Sequence, residues 1–166
     1  MTRSRGELRE EAWGLSLQGY YDAALDILGG LLADDAGDIA ALRLRGNVLE
    51  LKAMDLFGHS YKKLTSSPDY MAARQCYERI LELDPGNVRA LIDLGDHFRN
   101  LEAYDRSIGY YRRAQEGLRL NRTGADWKDD IDELMKAAVL LTKVERTAKD
   151  AKEMEAWCKQ AAGPGS

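Results

Sequence analysis

A tyrosine recurs at a fixed interval in this chain, followed each time by a small residue three positions on. Tyr70 and Tyr104 lie 34 residues apart, with Ala73 and Ser107 as their small followers. Tyr21 and Ala24 head the same pattern earlier, but 49 residues before Tyr70, which is 34 plus 15. Ala12 to Gly46 is again 34, and Gly46 to Gly95 is 49. One insertion of 15 residues between Leu49 and Tyr70 reconciles every interval. A repeat at this period constrains the fold severely, because one copy cannot bury its own apolar stripe and must stack on the next.

The content of the period is a pair of amphipathic helices. Tyr70, Ala73, Tyr77, Ile80 and Leu81 keep helical spacing until Asp84-Pro85-Gly86. Proline cannot continue a helix, and glycine accepts the backbone angles at which one ends. A second helix follows at once, with Leu91, Leu94, Gly95 and Phe98 on one face.

This pattern resembles the tetratricopeptide repeat. The third copy supplies Leu91, Leu94-Gly95 and Phe98 in its first helix and Tyr104, Ser107, Tyr111 and Ala114 in its second. The middle copy supplies Leu42, Gly46, Leu49, Tyr70, Ala73, Tyr77 and Pro85, with Arg45 where leucine is usual. The first copy is poorest: Leu8, Ala12, Leu15, Tyr21, Ala24, Leu28 and Leu31, with Glu11 and Ala36 off pattern. Terminal copies of solenoids are expected to be atypical, since one face meets water. The resemblance implies an all-α, right-handed α-solenoid with an extended second repeat and a long C-terminal helix. Its divisions are repeats at about 5–38, 39–87 and 88–121 and a capping helix at about 126–161. Together they form a single domain over 1–162, and 163–166 is a disordered tail.

Within the insertion, Met54, Phe57, Tyr61 and Leu64 step by three, four and three, so helical periodicity survives. The expectation is a third helix that overruns its neighbours, a bend near Gly58 and a short helical turn. Self-packing of this overhang is preferred to a role as a docking knob carrying His59, Tyr61, Lys62 and Lys63. Ser67-Pro68-Asp69 restarts a helix, with a capping hydroxyl, a proline at the first turn and an acid at the positive end. In the last helix Trp127, Ile131, Leu134, Ala138, Leu141, Val144 and Ala148 hold a three–four rhythm. Its first four turns are expected to cover the last repeat, with nothing left to pack on beyond about Val144. Met154 and Trp157 then project, which makes self-association into a homodimer the alternative use of this helix.

Composition narrows the function classes. A net charge of -4 argues against nucleic acid, which calls for a basic stripe. No apolar run approaches the ~20 residues that span a bilayer, and the start lacks a signal-peptide core, so a cytoplasmic protein is expected. Cys76 and Cys158 suit a reducing compartment without a disulfide. His59 and His97 have no metal-ligand companion at helical spacing, and no glycine-rich phosphate loop or nucleophile elbow occurs. The expectation is no enzyme, no metal and no cofactor. Asp34, Asp35 and Asp38 form a turn rather than a calcium loop, and Asp93 and Asp96 read as solvated surface charge.

The resemblance also implies where a partner would bind, since the first helices of such repeats line a concave wall. Carried over, that wall holds Arg9, Glu10, Trp13, Ser16 and Leu17, then Arg43, Leu44, Asn47, Glu50 and Leu51, then Arg89, Ile92, Asp93, Asp96, Arg99 and Asn100. Arg43 and Asn47 match the first pair of the carboxylate clamp of chaperone-binding members, but Asp93 stands where a further asparagine belongs. The reading is a non-catalytic interaction module for a protein or peptide partner, an apolar and acidic segment held beside the groove's arginines. The alternatives are a self-associating scaffold that acts through the long last helix and the insertion and, third, the clamp adaptor.

Overall fold

The computed structural model describes residues 3–120 and 127–161, the side chains of 127–135 and 161 excepted. The linker expected at 121–125, the tail at 163–166 and the inward side chains Trp127, Ile131 and Leu134 lie outside the described residues. Eight helices, and no strand, occur among the described residues: α1 (Arg5–Leu17), α2 (Tyr21–Asp34), α3 (Ile39–Phe57), α4 (Tyr61–Thr65), α5 (Pro68–Leu83), α6 (Val88–Asn100), α7 (Tyr104–Leu120) and α8 (Trp127–Ala161). The chain is an α-solenoid in which α1–α2, α3–α5 and α6–α7 are the three stacked pairs, followed by one long helix.

Short polar side chains set where the helices begin. Ser4 accepts from the Glu7 N–H while Glu7 accepts from the Ser4 N–H, so two otherwise orphaned donors are satisfied at once. Asp38, Ser67 and Asn87 each accept from the N–H three residues on, opening α3, α5 and α6. Asp38 does more than cap, because Arg5 and Arg9 both reach it, at 2.7 and 3.1 Å. Burial works to raise its carboxyl, but the Ala41 N–H and the two guanidiniums outweigh that and hold it below the usual aspartate range. The aspartate-rich turn is thus a helix start clamped to α1.

Within each of the second and third repeats, a glycine of the first helix receives a tyrosine ring from the second. A Cβ on Gly46 would overlap the Tyr77 ring, and one on Gly95 would overlap the Tyr111 ring. The same tyrosines reach back to the residue after each glycine: Tyr77 Oη donates to Asn47 Oδ1 at 2.9 Å, and Tyr111 Oη to Asp96 Oδ1 at 2.5 Å. In the first repeat the equivalent pair is Ala12 and Leu28, both fully buried. A smaller partner there leaves room for the methyl group that the other two repeats exclude.

The insertion builds a core of its own. Ala53 on the overrun of α3, Leu64 on α4 and Tyr70 on α5 are buried together, with Met54, Phe57 and Leu101 packed around them. Gly58 ends α3 at a φ of 62°, a left-handed angle that glycine adopts without strain.

The last helix departs from its expected packing. Among its described side chains Ala137, Val144 and Ala148 are buried, with Ala138 only half-buried. Arg112 pairs with Glu145 at 2.9 Å and Asp105 with Lys152 at 3.7 Å, so α8 runs antiparallel to α7. Contact therefore reaches to Lys152 rather than ending near Val144. The physical reason is length, because α7 has 17 residues and its N-terminal turn is met only by the second half of α8.

Two stability predictions follow from particular residues. Gly95→Ala forces the Tyr111 ring aside and is expected to cost about 1–3 kcal/mol in urea unfolding. Glu102, one residue past the α6 C-cap, has a φ of 56°, while Gly19 holds the comparable turn at 83°. Glu102→Gly relieves a strained left-handed residue and should stabilise by roughly 1 kcal/mol. An unchanged or lowered unfolding midpoint would contradict that.

Candidate partner-binding groove

The first helices of successive repeats, α1, α3 and α6, present the side chains assigned to partner contact, and most of the polar ones are already occupied. Arg43 Nε and Nη2 donate to Asp93 Oδ2 and Oδ1 at 2.6 and 3.0 Å, a forked pair joining α3 to α6. Burial pushes the Asp93 carboxyl above its usual range, and Arg43 offsets only part of that. Asn47 accepts from Tyr77, Asp96 accepts from Tyr111 and Arg99, and Arg9 is held by Asp38. Ser16 is buried and donates to the Trp13 carbonyl. Asp93 is therefore no solvated surface charge: it is a mostly buried acid with a specific partner.

Deeper in the same layer lies a pair that motif reading passed over. His97 is fully buried and its Nδ1 lies 2.7 Å from Glu50 Oε1. The imidazole stacks on Tyr70, with centroids 4.2 Å apart and planes 15° from parallel, and meets Phe98 edge-on. Its Nε2 has no hydrogen-bond partner. Desolvation dominates at Glu50 and raises its carboxyl above the usual glutamate range, with His97 pulling the other way. Repeat position puts Glu50 on the groove wall, and His97 has no companion at helical spacing. Their partnership spans two repeats, and no short motif displays it.

Removing these occupied groups leaves a simpler surface. Trp13 and Leu17 on α1 are 40% and 66% exposed. A cleft of about 460 Å³ lies between α3 and the start of α6, bordered by Ile39, Ala40, Arg43, Leu44, Asn47 and Arg89. Arg89 is exposed, while Leu44, Leu51 and Ile92 are half-buried. A clamp for a terminal carboxylate needs Arg43 and Asn47 turned toward a ligand, and both are bonded within the protein. Among the described residues no group of three or more His, Cys, Asp or Glu stands together as a metal site, and no helix is long and apolar enough to cross a membrane.

The buried acid predicts a pH signature. A carboxyl whose folded pKa is raised favours the folded state while protonated and loses that advantage as pH climbs past its unfolded value. Glu50→Gln keeps the shape and removes the charge. Its stability relative to wild type should rise as pH increases from about 4, where an unperturbed glutamate titrates, through the raised native value. Urea midpoints measured across that range check it, and a difference independent of pH would count against a buried titrating Glu50.

No protein-family model matches the chain, and no curated protein matches it in sequence. Solved structures do. The type III secretion translocator chaperone SycD of Yersinia enterocolitica superposes with a TM-score of 0.65 at 14% identity, covering 87% of this chain and 85% of that one. The Sgt2 tetratricopeptide repeat domain of Aspergillus fumigatus gives 0.63 at 16% identity, over 99% and 87%. The first such domain of human RPAP3 gives 0.52 at 19% identity, over 84% and 93%. With the 34-residue period, the glycine–tyrosine packing and these superpositions together, the chain has the tetratricopeptide repeat fold, three repeats closed by a long C-terminal helix.

Proposed function

We propose that this chain is a non-catalytic protein–protein interaction module that takes an extended or helical segment of a partner into the groove of α1, α3 and α6. The observation that carries the reading is the division of labour along that wall. Arg43, Asn47, Asp93, Asp96 and Arg99 are tied to neighbours and make the wall stiff, while Trp13 and Leu17 remain exposed on α1 and Arg89 remains exposed beside the cleft. A surface ordered before binding loses less entropy when a partner arrives. Trp and Arg are also the side chains that most often dominate an interface. Leu44, Leu51 and Ile92 supply the apolar floor, and an acidic residue of the partner would meet Arg89. That the neighbour SycD is described as a chaperone of translocators supports a client-holding role.

The test avoids Arg43, because removing it strands Asp93 as a buried unpaired acid and confuses binding with folding. Trp13→Glu with Arg89→Glu changes two exposed positions. Cross-linked capture of partner from extract should fall about tenfold or more while circular dichroism and melting stay unchanged. Equal capture by the variant would remove the groove reading.

A second reading, self-association, rests on Met154 and Trp157, each 65% exposed, three residues apart and beyond the pair of Lys152 with Asp105. Sedimentation equilibrium of wild type and of Met154→Glu with Trp157→Glu decides it. A dimer dissociated by the substitutions supports this use of the helix, and a wild-type monomer at all concentrations ends it.

A further inference from the structure

The second helices of the repeats hold a cationic cleft that shares no residue with the groove. Between α5 and α7 an open cavity of about 410 Å³ is lined by Arg74, Glu78, Phe98, Arg106, Tyr110 and Arg113, a size within the roughly 300–1,000 Å³ of ligand clefts. Phe98 is buried at its base, and the Tyr110 ring lies parallel to it with centroids 5.5 Å apart. Arg106 and Arg74 stand 5.2 and 5.6 Å from the Phe98 centroid, and Arg113 stands 5.6 Å from that of Tyr110.

The charge in this cleft is unbalanced. Arg74 donates to Glu78 at 2.8 Å, but Arg106 and Arg113 have no carboxylate partner among the described residues. Like charges gathered on an otherwise acidic protein of net charge -4 repel one another, so the arrangement gains from an anion. A guanidinium laid on an aromatic face keeps its N–H edge free to donate, and that edge fits a carboxylate with two parallel hydrogen bonds.

Gly109 is the second observation. It lies inside α7 and lines this cleft, yet a Cβ built on it meets no atom within 4 Å. Neither close packing nor a left-handed backbone demands glycine there, although glycine inside a helix is less favourable than alanine. What its missing side chain does is leave the cavity open between Arg106 and Arg113, which sit one turn to either side.

We propose that this cleft is a second binding site, for an acidic segment of a partner protein. An aspartate or glutamate of that segment takes the donors of Arg106 and Arg113, and an apolar neighbour covers Phe98 and Tyr110. Arg74 is already neutralised by Glu78, which leaves two cations for that carboxylate, and a planar guanidinium edge matches its two coplanar oxygens.

Fluorescence anisotropy with a labelled, alternating leucine–glutamate octapeptide and the intact chain tests the assignment, with the leucine–lysine octapeptide as control. The acidic peptide should bind and the basic one should not. Arg106→Ala with Arg113→Ala, and independently Gly109→Glu, which fills the cavity with a competing carboxylate, should each weaken binding about tenfold or more. Gly109→Ala should leave the chain folded, with its melting temperature held or raised. In the Trp13→Glu with Arg89→Glu background, which removes any contribution of the groove, the peptide should still bind and the cleft substitutions should still weaken it about tenfold or more, which separates this site from the groove. Undiminished binding in both cleft variants overturns the site. Displacement of the peptide by inorganic phosphate at lower concentration than by free acetate overturns the preference for a carboxylate.

Discussion

Two tyrosine rings lying where two glycines have no side chain hold together the helix pair of the second repeat and that of the third. Gly46 admits Tyr77 and Gly95 admits Tyr111, so the paired helices approach closely at each contact. Each ring fills the space with apolar surface, and each hydroxyl then ties back to the first helix through Asn47 or Asp96. Burial strengthens this coupling, because a fully buried hydroxyl must find a partner or cost the desolvation of a polar group. Desolvation also raises both phenols well above their ordinary titration range. The first repeat, with Ala12 against Leu28, has the packing without the hydrogen bond.

A layer of charge between α3 and α6 is built on that packing. Arg43 with Asp93 and Glu50 with His97 cross from the second repeat to the third. Pairs of this kind add little net stability, because desolvation consumes most of the attraction, but they penalise any arrangement that separates the partners. The relative setting of the two first helices is thereby defined, and with it the spacing of the side chains that stay exposed. For the proposed groove, a wall stiffened this way has little left to order on binding.

The two proposed surfaces differ in chemistry for a structural reason. On the wall of α1, α3 and α6, Arg9 and Arg43 have acids opposite them in the adjoining repeat and Arg99 has one on its own helix, leaving apolar contact and Arg89. On the wall of α5 and α7 the arginines lie on aromatic rings instead, which keeps them in place without neutralising them. Charge that is held and not cancelled is the more available for recognition.

Periodicity was legible at once because stacking one repeat on another demands the same residue types at the same register. The tyrosine interval, the glycines at 46 and 95 and the Asp-Pro-Gly stop at Asp84 reflect local steric needs that any copy must meet. The cap at Ser67 was equally local, and the start of α5 followed from it. What could not be read was which polar side chains face each other across repeats. Arg43 and Asp93, or Glu50 and His97, are some fifty residues apart, and each has the composition of a surface residue until a neighbour buries it. The groove list drawn from the repeat pattern therefore mixed groups that stiffen the wall with groups left exposed on it. The reach of α8 along α7 and the gathering of Arg74, Arg106 and Arg113 over two stacked rings were likewise decided only in three dimensions. Sequence by itself determined the repeating helix pairs, because their causes lie within a turn or two of chain. Tertiary structure alone decided which charges are matched, because that depends on distances between residues the chain does not bring together until it has folded.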